Sequence, residues 1–156
     1  MISIKREHEF SYGHVVTGHE CKCKHLHGHN GKVIFHCVGD LDAIGRVLDF
    51  SAVKDRLCMW LENNWDHRFL VWDGDGLFRE LFEVLGSSPY GEPCGIIGDS
   101  LVFLPFNPTA ENMADYLLHT IGPLQLKGTG VTLVKVEFYE TSKCSAVAVL
   151  DTMGDE

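Results

Sequence analysis

Nowhere does the 156-residue chain approach the roughly 20 consecutive apolar residues that a helix crossing a bilayer requires. Its opening, MISIKREHEF, alternates apolar and charged residues and lacks the apolar core of a secretory signal, so a cytoplasmic location is expected. Positive charge is also scarce: 13 Lys and Arg stand against 22 Asp and Glu, for a formal charge of −9. That balance argues against nucleic acid or an anionic membrane as the main partner, though a small anionic ligand needs only a local basic pocket. No internal repeat or low-complexity stretch breaks the chain, which reads as one domain over 1–156. With no secretory signal, the six cysteines read as reduced thiols, buried or at a site.

Periodicity supplies the elements. Residues 2–14 alternate, with Phe10, Tyr12 and His14 on the apolar side, which predicts a half-buried strand. GKVIFHCVGD continues as a second strand, its Val33, Phe35 and Cys37 sharing parity with His27 and His29. Ser51 is the expected N-cap of a helix to about Asn64, buried through Val53, Leu57, Trp60 and Leu61. GLFRELFEVLG predicts a short helix with Leu77, Leu81 and Leu85 on one face. SSPYGEPCGIIGD reads as loop and SLVFLPF as a short strand. Thr109 is expected to cap a helix that Gly122-Pro123 ends. GVTLVKVEFYET and SAVAVLD are the final strands, the first with Thr132, Val134, Val136, Phe138 and Glu140 on one face. Two hairpins bracketing helices predict an α+β fold.

The chemistry gathers in CKCKHLHGHN, residues 21–30. Residues i and i+2 of a strand point the same way, so His27 and His29 can offer two imidazoles to one ion, and His14 can supply a third. Three neutral imidazoles with one open position form the donor set of a catalytic zinc site, although spacing alone also admits iron, cobalt or nickel. A chance His-x-His pair is the bland alternative. Cys23, flanked by Lys22 and Lys24, has surroundings that favour a reactive thiolate, while the C-x-C spacing of Cys21 and Cys23 leaves thiolate ligation open. Asp66-His67 reads either as a helix-end polar pair or as an imidazole tuned by a carboxylate. Glu140, on an apolar strand face, needs a partner if buried, or is solvated at a strand end. Glu111, in a helix's first turn, needs no function to be explained there.

FSYGHVV, CKHLHGHN, VLDFSAVK, WDHRFLV, NPTAEN and YET follow one another in the order seen in the 6-pyruvoyltetrahydropterin synthase / 6-carboxytetrahydropterin synthase family, which the chain resembles over residues 8–150. An insertion at about 72–106 interrupts the match. The resemblance implies a tunnelling fold (T-fold): a four-stranded antiparallel sheet with two principal helices, joined into an oligomeric barrel. It implies a homohexamer of two trimers with active sites at subunit boundaries. It implies Zn2+ at His14, His27 and His29, with Cys23, Asp66 and His67 catalytic. Glu140 would anchor the 2-amino and N3–H groups of a pterin, with Thr141 adding a hydrogen bond, and Lys22, Lys24 and Lys32 are candidates for a triphosphate. C-x3-H-G-H, satisfied by Cys23, resembles the carboxy branch that feeds 7-deazaguanine (queuosine-type) synthesis. C-x5-H-G-H, satisfied by Cys21, resembles the pyruvoyl branch, and a non-catalytic zinc- or pterin-binding protein is the alternative of another class.

Overall fold

The computed structural model describes residues 2–86 and 95–151. β1 (Ser3–His14) and β2 (His27–Gly39) form a long antiparallel hairpin whose connection carries a short 3-10 turn, Lys22–Lys24. The helix α1 runs over 50–64, and a π-helical turn at Lys54–Cys58 interrupts it. β3 (Arg68–Trp72), α2 (Gly76–Gly86), α3 (Gly95–Ser100) and β4 (Leu101–Leu104) come next. A second long helix, α4, covers 110–125, followed by the hairpin of β5 (Val131–Thr141) and β6 (Cys144–Val149).

The sheet has six strands in the order β4-β3-β1-β2-β5-β6. Four of them, β1, β2, β5 and β6, pair antiparallel as expected. β3 and β4 add two parallel strands to the free edge of β1, so the sheet is mixed. Parallel neighbours need a crossover, and α2 with α3 belongs to it, so the insertion carries the chain from β3 back to a parallel strand, β4, at its side. β3 escaped the periodicity reading because Leu70 and Val71 are adjacent and both fully buried, so its short run does not alternate.

Other boundaries shift for local reasons. Asp49, not Ser51, caps α1: its carboxylate accepts from the Ser51 amide at 2.8 Å and the Ser51 hydroxyl at 2.6 Å. Thr109 caps α4 as expected, accepting from the Asn112 amide at 3.2 Å. Gly122-Pro123 does not end that helix. A π-helical turn over Leu117–Ile121 lets the Gly122 N–H reach the Leu117 carbonyl, and Pro123 then sits at the start of the next turn, where it needs no N–H. A Cβ at Gly122 would lie 2.6 Å from Leu133 Cδ2, so glycine permits close packing on β5. The loop expected over 87–99 lies outside the described residues at 87–94, and Gly95–Ser100 is helical. On α2 the expected apolar face is not buried: Leu77 is exposed, and Leu81 is nearly half so. The side chain of Leu85 lies outside the described residues.

The face assigned to β5 is half right. Between the pairs His36–Lys135 and Cys37–Leu133 the register slips, making Val134 an extra residue. The bulge reverses parity, so Val131 and Leu133 join Val136 and Phe138 in the core while Thr132 faces outward. That core lies between one sheet face and the two long helices, with Phe35, Phe138, Leu57, Leu61, Met113 and Leu117 almost fully buried.

Candidate metal centre and active site

The β1–β2 hairpin ends on the register pairs His14–His27 and Tyr12–His29, on the face that continues the core. Residues two apart on each strand therefore bring three imidazoles together. One ring nitrogen from each of His14, His27 and His29 lies within 4.8 Å of the others. His14 is buried, whereas His27 and His29 are half-buried. Opposite faces of the same strands carry paired Gly13 and Gly28, and a Cβ on Gly13 would stand 2.4 Å from Phe69 Cδ2.

Backbone carbonyls orient two of the rings. His14 Nδ1 lies 2.7 Å from the Pro108 carbonyl and His27 Nδ1 lies 2.7 Å from the His25 carbonyl. A carbonyl only accepts, so each Nδ1 carries the proton and each Nε2 is left with a bare lone pair. Those two Nε2 atoms are 3.0 Å apart. Two lone pairs facing each other repel unless a cation stands between them. His29 Nε2 completes the argument, being buried without a hydrogen-bond partner among the described residues. Burial pushes His14 down to about 4, against the pull of the Pro108 carbonyl and with the help of His27 and His29. Burial also lowers His29, opposed by Glu140 and reinforced by His27. Neutral imidazoles with convergent Nε2 atoms are the donor set that a nitrogen-preferring divalent ion takes.

The loop before α4 holds this arrangement in place. Asn107 grips the backbone of Thr17 from both sides: its Oδ1 accepts from the Thr17 N–H at 3.0 Å and its Nδ2 donates to the Thr17 carbonyl at 2.8 Å. That clamp fixes the chain just after His14 against Pro108. The Thr17 hydroxyl also donates to Asp75 at 2.7 Å, tying the segment to the start of the insertion. NPTAEN was legible as a capping motif through Thr109; the roles of Asn107 and the Pro108 carbonyl were not, because they act across 90 and 94 residues of sequence.

Glu140 sits in a second bulge, the extra residue between the β5–β6 pairs Tyr139–Ser145 and Thr141–Cys144. Bulges re-aim side chains beside functional sites. Its Oε1 lies 3.7 Å from His14 Nε2 and its Oε2 lies 4.0 Å from His29 Nε2. Glu140 lines a cavity of about 310 Å³ with Cys23, Glu111, His19 and Cys144. Cys23 is half-buried in that wall; Cys21 is exposed, its amide donating to His19 Nδ1 at 2.9 Å, and does not line it. Thr141 is exposed and lies outside this cavity, its hydroxyl accepting from the Lys143 amide at 3.2 Å. Lys32 is also elsewhere, its Nζ 4.8 Å from the centre of the Tyr139 ring.

Asp66 and His67 are paired but apart from Cys23. Asp66 accepts from the Ser11 amide at 2.9 Å and from His67 Nδ1 at 2.6 Å. Burial tends to raise the Asp66 carboxyl, but these two hydrogen bonds hold it below the usual carboxylate range. The His67 amide donates to the Ser11 carbonyl at 2.7 Å, and its φ of 54° is a left-handed backbone that a histidine rarely adopts. The ring is turned outward, 80% exposed, into a wider cleft of about 650 Å³ shared with His27, His29 and Phe69. His67 and Cys23 thus line two different cavities of one chain, the first shared with His27 and His29 and the second with Glu140.

A family model described as 6-pyruvoyl tetrahydropterin synthase matches residues 3–149. The chain belongs to that family, and its fold is the family's T-fold. Among its relatives, the 6-carboxy-5,6,7,8-tetrahydropterin synthase of Rickettsia bellii is 32% identical over 145 residues, covering 92% of this chain and 97% of that one. A probable 6-carboxy-5,6,7,8-tetrahydropterin synthase of Halobacterium salinarum is 33% identical over 137 residues, or 86% and 81% of the two chains. Among solved structures, an uncharacterized protein from Wolinella succinogenes superposes with a TM-score of 0.82 at 29% identity, over 96% of this chain and 98% of that one. The 6-pyruvoyl tetrahydropterin synthase of Caenorhabditis elegans shares the fold, with a TM-score of 0.64 at 20% identity over 96% of each chain.

Proposed function

We propose that the chain is a zinc-dependent 6-carboxy-5,6,7,8-tetrahydropterin synthase. It would convert 7,8-dihydroneopterin triphosphate and water to 6-carboxytetrahydropterin, acetaldehyde and triphosphate, in 7-deazaguanine (queuosine-type) biosynthesis. The observation that carries this reading is that Cys23, and not Cys21, shares a cavity wall with Glu140 beside the histidine cluster. Cys23 has the C-x3-H-G-H spacing of the carboxy branch, and relatives at 32–33% identity bear that branch's name.

Zn2+ held by His14, His27 and His29 would supply Lewis acidity to the hydroxyls of the substrate side chain. The chain's own residues divide the remaining work. Glu140 would accept the ring's 2-amino and N3–H donors, fixing the side chain toward the histidines. Cys23 would take a carbon-bound proton from the side chain. His67, with its Nδ1 proton held by Asp66, would run the complementary transfer at Nε2. Because His67 and Cys23 lie in different clefts of one chain, His67 would serve the Cys23 of a neighbouring copy, in keeping with the family's subunit-boundary sites. Two chains of one homohexamer would then complete each site. Lys22 and Lys24, exposed on either side of Cys23, would meet the triphosphate.

Cys23→Ala should lower turnover by about a hundredfold or more, the usual scale for a positioned general base, with zinc content unchanged. Cys21→Ala should stay within about a few-fold of the parent, since an exposed thiol outside the cavity has no proton to take. The reverse ranking would move the chain to the pyruvoyl branch. Small, equal effects would leave a zinc- or pterin-binding protein without turnover.

A further inference from the structure

Beside the metal centre lies a polar atom that none of the roles above uses. The Tyr12 side chain is 4% exposed, and its hydroxyl is buried with no hydrogen-bond partner among the described residues. Its ring is wedged in place: stacked on Phe10 at 5.1 Å, edge-on to Phe138 at 5.8 Å, and against His14 and His29 at 5.3 and 5.6 Å. Phenylalanine would fill the same space without leaving a donor unsatisfied, so the hydroxyl costs stability for no return in the resting chain.

The direction of the ring follows from a neighbouring glycine. A Cβ on Gly31 would stand 2.8 Å from Tyr12 Cε1, so the ring crosses β2 through the gap that Gly31 leaves. On its far side β2 pairs with β5 through Val33–Phe138 and Lys32–Tyr139, where the ladder ends one residue before Glu140, and the Tyr12 ring already meets Phe138 of that strand at 5.8 Å. Tyr12 therefore reaches from β1 across β2 toward the strand position that carries Glu140. In this state the Glu140 carboxylate leans on the histidines, at 3.7 and 4.0 Å from their Nε2 atoms. To clasp a ring it must turn away from them.

We infer that Tyr12 is a positioning residue for Glu140: its hydroxyl donates to the Glu140 carboxylate when that side chain leaves the histidines to hold a pterin ring. The inference rests on the proposed role of Glu140 as ring anchor. A carboxylate can accept several hydrogen bonds at once, so one from Tyr12 leaves room for two donors of the ring and fixes the plane in which they are met. It also supplies the orphaned phenol with its missing partner at the moment of binding.

The test is a double-mutant cycle read by equilibrium binding of 7,8-dihydroneopterin to the zinc-loaded protein, with zinc content and thermal midpoint measured for each variant. Tyr12→Phe should weaken binding about tenfold, the lower end for a hydrogen bond to a charged group, with zinc unchanged and the midpoint equal or higher. In a Glu140→Gln background, itself weaker in binding, Tyr12→Phe should have almost no further effect. Equal affinity of Tyr12→Phe and parent overturns the inference, as does a full tenfold effect that persists without Glu140. A lower thermal midpoint in Tyr12→Phe would show that the hydroxyl already has a structural partner, and overturns it too. A parent that does not bind the pterin, or a Glu140→Gln variant that binds normally, removes the ring-anchor reading and this inference with it.

Discussion

Replacing Asn107 by alanine probes the metal centre without touching a ligand. The side chain makes two hydrogen bonds to one residue, accepting from the Thr17 N–H at 3.0 Å and donating to its carbonyl at 2.8 Å. Both are part-buried, so truncation strands two backbone groups as well as losing two bonds. At about 1 kcal/mol per bond, with a share of the cost of the stranded groups, the chain should lose roughly 2–3 kcal/mol of stability. The larger consequence is at His14. Its Nδ1 proton is held by the carbonyl of Pro108, the residue next to Asn107, and that carbonyl is fixed by the same clamp. Loss of an outer partner of a metal-binding histidine typically weakens metal binding about 10–100-fold. Urea unfolding measures the first quantity, and competition for zinc against a chromophoric chelator measures the second. Asn64→Ala is the control: its amide donates to the Trp60 carbonyl on an exposed helix surface, and its loss should leave zinc affinity unchanged. An Asn107→Ala protein that loses stability yet keeps parental zinc affinity would refute the link between the clamp and His14.

Two further outcomes follow from the histidine cluster. His27→Ala should remove most of the zinc measured by metal analysis while the circular dichroism spectrum stays close to the parent's, since the ligands cap a sheet with its own core; full zinc occupancy would remove His27 from the site. In metal-free protein His14 is held near 4 against an ordinary 6.5, so the unfolded chain takes up the proton first as pH falls. Its contribution is fully present above about pH 6.5 and is lost between there and about pH 4, for a total on the order of 3 kcal/mol. The urea midpoint of metal-free protein should therefore fall from pH 7 to pH 5, and a flat or rising midpoint would contradict the burial of a neutral His14.

What could be read in advance was whatever local periodicity encodes. Alternation placed Phe10, Tyr12 and His14 on one side of β1 and His27 and His29 on the matching side of β2, and the hairpin register did the rest. Thr109 was legible as a cap because capping is decided within four residues. The failures share a different origin. Parity along β5 cannot be counted across a bulge, and the extra residue at Val134 is visible only in the pairing with β2. SLVFLPF was legible as the strand β4, but β3 and the parallel pairing of both were not: the pairing depends on a crossover whose closure is a tertiary event, and the adjacent buried Leu70 and Val71 of β3 carry no alternation. Within the site, residue types were legible and partners were not. His14 could be read as a ligand, but neither the carbonyl that orients it nor the phenol behind it leaves a local mark. The separation of Cys23 from His67 was likewise invisible to motif order, which sets both in one list although they line different clefts.

The central claim is the reaction itself, and product mass tests it most directly. Zinc-loaded protein incubated with 7,8-dihydroneopterin triphosphate should yield 6-carboxytetrahydropterin together with acetaldehyde and triphosphate. A tetrahydropterin that keeps all the side-chain carbons, with triphosphate released and no acetaldehyde, would contradict the account in favour of the pyruvoyl branch, and unchanged substrate would contradict it in favour of a binding protein.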